Sequence, residues 1–206
     1  LGTGYGPALD IAVDPVEGTA SVADGTSNAV TVLATGPRGS LLSAPDLYMD
    51  KIAVGPRAKG SVDFSFSVEE NISRVAAALD IPISLLVVAV LDRPRHEKLI
   101  SEIRAAGARV RLFSDGDVAY AIATAKEQSG VHMMLGIGGS TESVLAAAAL
   151  KCLDGALLSR FAPKDDNDRA RLLRSGILDT NRVYTENDLA SGEDITFTAT
   201  GIVDGP

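Results

Sequence analysis

The chain has 206 residues, 46% hydrophobic, 22% charged and 4% aromatic with no Trp, the make-up of an ordinary globular protein with room for one large core or two small ones. Its 27 acidic against 19 basic residues leave a net charge of −8, which argues against a nucleic-acid partner, because phosphate backbones reward a basic face. A single cysteine, Cys152, rules out an internal disulfide and fits a reducing compartment, so a cytoplasmic location is expected.

Short β-like runs alternate with amphipathic stretches along the chain. DIAVD (10–14), NAVTVLA (28–34) and DKIAVG (50–55) read as strands. SVEENISRVAAALD (67–80) opens with Ser67 and Glu70 at capping-box spacing and repeats apolar residues with a helical period. LLVVAVL (85–91) is a continuous apolar run of the buried-strand kind. PRHEKLISEIRAAG (94–107) starts a helix on Pro94 and stops it on Gly107. ARVRLF (108–113) is a strand, DVAYAIATAKEQSG (117–130) a helix closed by Gly130, and VHMMLGI (131–137) a strand. TESVLAAAALKCL (141–153) is an Ala-rich helix, APKDDNDRARLLRSGI (162–177) a charged surface helix, and DITFTATG (194–201) a half-buried strand. This order implies an α/β fold with right-handed βαβ crossovers and a mainly parallel sheet. The chain is expected to leave its first sheet near residues 60–70. No apolar run approaches ~18 residues, so no membrane span is expected, and no signal-peptide pattern occurs. The Gly-rich start without Met, and an end just after a strand, are what a piece of a longer protein would show.

Ligands of parallel α/β sheets bind beyond the carboxyl ends of the strands. Those ends carry DRPRH, SDGD and GIGGSTE, so Arg93, Arg95, Asp115, Asp117, Gly138, Gly139 and Glu142 are expected around one crevice. Each has a plainer reading. The arginines could be a solvated helix start, although a cation is unfavourable at a helix N-terminus unless an anion is shared there. Ser114 or Asp117 could simply cap the next helix, and the glycines could make a tight turn. A Walker loop and a GxSxG elbow are both absent. His96 and His132 lack metal-ligand spacing; His132 and Cys152 read as packing residues, and Tyr48 as a structural tyrosine or a phosphate or sugar contact.

The most specific stretch is DPVEGT, residues 14–19. Asp14 ends a strand, and Pro15 fixes a turn that returns Glu17 to the same side. Hard cations such as Mg²⁺ or Mn²⁺ want such carboxylate oxygens. Gly18 lets the backbone approach a phosphate, and Thr19 offers a hydroxyl to orient water. The plainer alternative is a capped turn.

DPVEGT resembles the DP-x-[DE]-GT signature of the metal-dependent phosphatases that include inositol monophosphatases and fructose-1,6-bisphosphatases. With NAVTVLA, APDLYMDKIAVGP, RPRH, SDGDVA, GIGGSTE and FTATGIVDG in the same order, the chain is similar to class II fructose-1,6-bisphosphatases from about residue 3 to residue 205. The resemblance implies the layered sandwich of the sugar-phosphatase type with a mainly parallel βαβ subdomain. It divides the chain into part of a metal- and phosphate-binding α/β domain (1–65), a second α/β subdomain (66–160), and a surface helix with a return strand (161–206). It implies Mn²⁺ or Mg²⁺ on Asp14, Glu17 and Glu142, and substrate contacts from Glu17, Gly18, Thr19, Tyr48, Arg93, Pro94, Arg95, Asp115, Gly116, Asp117 and Gly139. Asp14, Glu17 and Thr19 would carry the chemistry. The activity implied is hydrolysis of the 1-phosphate of fructose 1,6-bisphosphate in gluconeogenesis, by a cytoplasmic dimer or tetramer. Alternatives are sedoheptulose 1,7-bisphosphate, both sugars, or a regulatory module that binds sugar phosphates without catalysis. The family commonly reads GGxPEG where this chain reads GGSTES, and it carries further acidic metal ligands N-terminal to the region matched here.

Overall fold

Alternation of side chains along LDIAVDPVE makes the first strand, β1 (Leu9–Glu17), with Ala12 turned inward and Leu9, Ile11 and Val13 outward. The computed structural model describes residues 2–203; Asp204 and Gly205, the last residues of the FTATGIVDG segment, lie outside them. β1 pairs antiparallel with β2 (Val30–Pro37), which pairs antiparallel with β9 (Thr196–Gly201). A second sheet of six strands has the order β5-β4-β6-β3-β7-β8. Its members are β3 (Tyr48–Val54), β4 (Val87–Leu91), β5 (Arg109–Phe113), β6 (Met133–Gly139), β7 (Ala156–Phe161) and β8 (Tyr184–Thr185).

The expected βαβ block is present: β5, β4 and β6 are parallel neighbours. Beyond β6 the sheet turns mixed, because β3, β7 and β8 each join antiparallel. β3 therefore belongs to the larger sheet, and the chain leaves the smaller one before Tyr48 rather than at 60–70.

The helices are α1 (Thr19–Asp24), α2 (Val68–Leu79), α3 (Glu97–Ala105), α4 (Asp117–Ala123), α5 (Ser140–Cys152), α6 (Asp166–Arg174) and α7 (Glu186–Leu189). The Ala-rich α5 runs between the two sheets, touching β1, β2 and β9 on one side and β3, β6 and β7 on the other. Every residue from Ser143 to Leu150 is buried, as a helix that is apolar all round requires. Its alanines let both sheets come close. Val32 and Ala34 of the small sheet share one core with Met49, Ala53 and Leu157 of the large sheet and Leu145 and Leu150 of α5. A second core lies behind the large sheet, where Ile72 and Val75 of α2 and Ile100 and Ile103 of α3 cover Val88 and Val90. The result is the layered α/β sandwich: small sheet, helices, large sheet, helices.

Three local expectations change. Ser67 caps α2 by accepting the Glu70 N–H, but the Glu70 carboxylate pairs with Arg74 instead of closing the box. The expected helix 117–130 stops at Ala123, and a single 3₁₀ turn, Glu127–Ser129, leads to Gly130. Cys152, expected in the packing, is exposed at the last position of α5. That helix has left the space between the sheets by then. Among the described residues no helix is long and apolar enough to cross a membrane.

Candidate active site

Residues 14–17 of the DPVEGT stretch belong to a strand rather than a turn, and Gly18 and Thr19 lead into α1. Asp14 lies opposite Val32 and Glu17 opposite Val30, so β1 carries one extra residue here as a β-bulge. The Asp14 carboxylate accepts the Val16 N–H at 3.0 Å, and Thr31 Oγ1 donates to the Pro15 carbonyl at 2.8 Å. The bulge aims Glu17 inward, where it is 4% exposed.

Glu17 reaches across to the other sheet. Its Oε1 accepts the Val118 N–H at 2.8 Å, in the first turn of α4. Asp115, at the carboxyl end of β5, does the reverse. Its Oδ2 accepts the Ala20 N–H at 2.9 Å and the Thr19 hydroxyl at 3.3 Å, in the first turn of α1. Each acid thus caps the helix that follows the other. Neither helix has a cap of its own: Gly18 and Gly116 precede them with φ of 90° and 95°, a conformation only glycine adopts freely. Both glycines back onto the same loop, at Ala29 and Asn28. The plainer reading of Ser114 or Asp117 as a local cap of α4 is not met; distant Glu17 takes that place.

Asp117 instead pairs with Lys51 of β3, Nζ to Oδ2 2.8 Å, and Lys51 is 1% exposed. The pair passes directly over Gly138, where a methyl group would overlap Asp117 Oδ2 and lie 2.8 Å from Lys51 Nζ. At Gly139 a methyl would overlap the Glu142 carboxylate. The two glycines make room for two acids.

Burial pushes the Glu17 carboxyl up to about 8, against the pull of the Val118 N–H, and the charges of Asp117, Glu142 and Asp14 push it the same way. Four acids therefore crowd one spot, and the buried Lys51 ammonium pairs with one of them, Asp117. Carboxylate oxygens that repel one another suit a hard divalent cation. Yet among the described residues no three His, Cys, Asp or Glu side chains are gathered tightly enough to cage a metal alone.

At the rim, Arg95 Nη2 donates to the Ile137 carbonyl at 2.8 Å, and its guanidinium lies 4.8 Å from the centre of the Tyr48 ring. Lys164 Nζ lies 3.9 Å from the same ring. A carbonyl at the end of β6 and an aromatic face therefore hold Arg95 beside the helix start, and no anion is needed to explain its position. Among the described residues the Arg93 guanidinium bonds only the neighbouring Asp92 carbonyl. Pro94 opens a 3₁₀ turn, Pro94–His96, ahead of α3.

His96 locks this corner. Its Nε2 accepts the Ile137 N–H at 2.8 Å, so Nδ1 carries the proton and donates to the Leu91 carbonyl at 2.7 Å. Burial holds its imidazole below the usual range, and it is a neutral strut between β4 and β6. His132, expected in the core, is half-buried at the other end of these strands, its Nδ1 accepting the Val87 N–H.

A family model described as bacterial fructose-1,6-bisphosphatase, glpX-encoded, matches residues 1–206. The chain belongs to this family. It is 45% identical over 209 residues to the "D-fructose 1,6-bisphosphatase class 2/sedoheptulose 1,7-bisphosphatase" of Crocosphaera subtropica, covering 96% of this chain and 61% of that one. It is 44% identical over 218 residues to the "Fructose-1,6-bisphosphatase 1 class 2" of Escherichia coli K12, covering 100% of this chain and 65% of that one. The chain thus spans under two thirds of the length of these relatives. In this member of the bacterial fructose-1,6-bisphosphatase family, two cations at the site escape the sequence reading. Lys51 is foreshadowed only by its inward register with Met49 and Ala53. Lys164 has no local signal: it reaches Tyr48 because β7 runs beside β3.

Proposed function

We propose that this chain carries the substrate-binding and phosphate-hydrolysing part of a class II fructose-1,6-bisphosphatase, acting on the 1-phosphate of fructose 1,6-bisphosphate to give fructose 6-phosphate and phosphate. The observation that carries the reading is the crossed capping of α1 and α4 by Asp115 and Glu17. It brings Glu17, Thr19 and Asp115 together, with Asp14, Asp117 and Glu142 near enough for their charges to act on Glu17.

Asp14, Glu17 and Glu142 would hold Mn²⁺ or Mg²⁺, which when bound neutralises phosphate charge and acidifies a water. The chain's own groups do the rest. Thr19 donates to Asp115, which leaves its oxygen lone pairs to accept a hydrogen bond from the attacking water and fix its line of approach. Gly18 and Gly139 would meet the substrate through their backbone groups. Tyr48 and the turn Asp115, Gly116 and Asp117 contact the sugar. Arg93 and Arg95, with Pro94 stiffening the turn between them, take the far phosphate, and Lys164 adds charge there.

A second reading, a bisphosphatase for both fructose 1,6-bisphosphate and sedoheptulose 1,7-bisphosphate, is favoured by the double name of the Crocosphaera relative. A cytoplasmic, gluconeogenic homo-oligomer, dimer or tetramer, is the setting we propose. Phosphate release from each sugar, measured with Mn²⁺ and with Mg²⁺, tests the reading. Release from fructose 1,6-bisphosphate alone supports the first form, and release from both supports the second. Tight binding of either sugar without release would make the chain a regulatory module instead.

A further inference from the structure

We infer that Lys51 is a positioning residue for the sugar bisphosphate, acting through Asp117; this rests on the reading above. Lys51 stands on β3 between Met49 and Ala53, on the side of the sheet that packs against the inner helices. Burying an ammonium costs solvation, and a buried ion pair is a weak source of stability, often matched by apolar residues of the same volume. Stability alone is thus a poor reason for this lysine.

Its placement supplies a better one. Among the described residues Asp117 Oδ2 is the hydrogen-bond partner of Lys51 Nζ, and Asp117 Oδ1 takes no hydrogen bond. Asp117 opens α4, beside the Val118 N–H that Glu17 occupies. Without Lys51, Asp117 would lose the partner that holds it over Gly138. With Lys51 in place, one oxygen is pinned over Gly138 and the other remains an acceptor of fixed position. Such an acceptor suits a sugar hydroxyl, whose O–H needs a partner of defined direction. Lys51 is out of reach of solvent and acts by holding Asp117, not by touching the sugar.

The test is a cycle of Lys51→Met, Asp117→Asn and the double variant, read by thermal unfolding and by calorimetric binding of fructose 1,6-bisphosphate in Mn²⁺. Lys51→Met should unfold at a lower temperature and bind roughly tenfold to a hundredfold more weakly, the range for losing an outer partner that orients a binding group. Asp117→Asn should bind as weakly. The double variant has no buried charge at the pair, so it should regain most of the lost unfolding temperature while binding no better than Asp117→Asn. Should Lys51→Met fail to fold, the double variant beside Asp117→Asn gives the comparison. A double variant that regains wild-type binding along with stability would make the pair merely structural and overturn the inference. So would separate losses that add, because Lys51 would then act independently of Asp117. A wild-type chain that binds no sugar bisphosphate would overturn the functional reading itself, and the inference with it.

Discussion

Glu17 joins two properties that oppose each other, a carboxyl group and an almost complete lack of solvent. Its proton stays on up to about pH 8 in the metal-free chain, whereas the unfolded chain loses it near 4.5. Between those values folding takes up a proton, so Glu17's contribution is whole below pH 4.5 and is lost as the pH rises through 8. The loss is of order 3–5 kcal/mol. We therefore expect the gap in stability between wild type and Glu17→Gln to move in favour of the variant from pH 5 to pH 8, followed by denaturant unfolding in chelator. Gln keeps an oxygen for the Val118 N–H, so the variant should fold. A gap that does not change with pH would mean that Glu17 is ionised in the folded chain. The residue types at this site are readable from sequence, since DPVEGT has few structural uses. The exposure of each residue is not, because burial of Glu17 depends on a bulge and on a helix about a hundred residues away.

At the scale of elements, crossed capping ties the two sheets together at the site. Asp115→Ala removes the acceptor for the Ala20 N–H and the partner of Thr19, and should cost about 1–2 kcal/mol, as lost helix caps do. Asp115→Asn, with one carbonyl oxygen retained, should recover part of that. Chemical denaturation of both variants checks the order. β4, β5 and β6 are legible in the sequence because each is a short apolar run followed by a turn and a helix, and that local pattern has one common solution. β7 and β8 are not, because their partners are remote: β7 needs β3 and β8 needs β7; α7 is missed because it is a single short turn in a polar stretch, set by the capping box of Thr185 and Asp188. The same holds for the caps. A reading that seeks the cap of α4 next to α4 finds Ser114 or Asp117, and the chain uses Glu17.

For the molecule as a whole, α5 is the piece that both sheets share. Leu145 is fully buried in it, within the core that holds Val32 and Ala34 of one sheet and Met49 and Leu157 of the other. Leu145→Ala should destabilise the chain by about 2–5 kcal/mol in one cooperative transition. Two separate transitions in calorimetry would show that the sheets are independent units. The layered architecture follows from the alternation of strand and helix together with an Ala-rich helix that has no polar side. Membership of the bacterial fructose-1,6-bisphosphatase family accords with that architecture and with the order of the motifs. The central claim is that Glu17 and its neighbours form the phosphate-hydrolysing site. It is tested most directly by Mn²⁺-dependent phosphate release from fructose 1,6-bisphosphate, wild type beside Glu17→Gln, with and without chelator. Wild type should release phosphate until chelator is added, and the folded variant should release none. Release that survives chelator, release by the variant at the wild-type rate, or a wild type that releases none would contradict the claim.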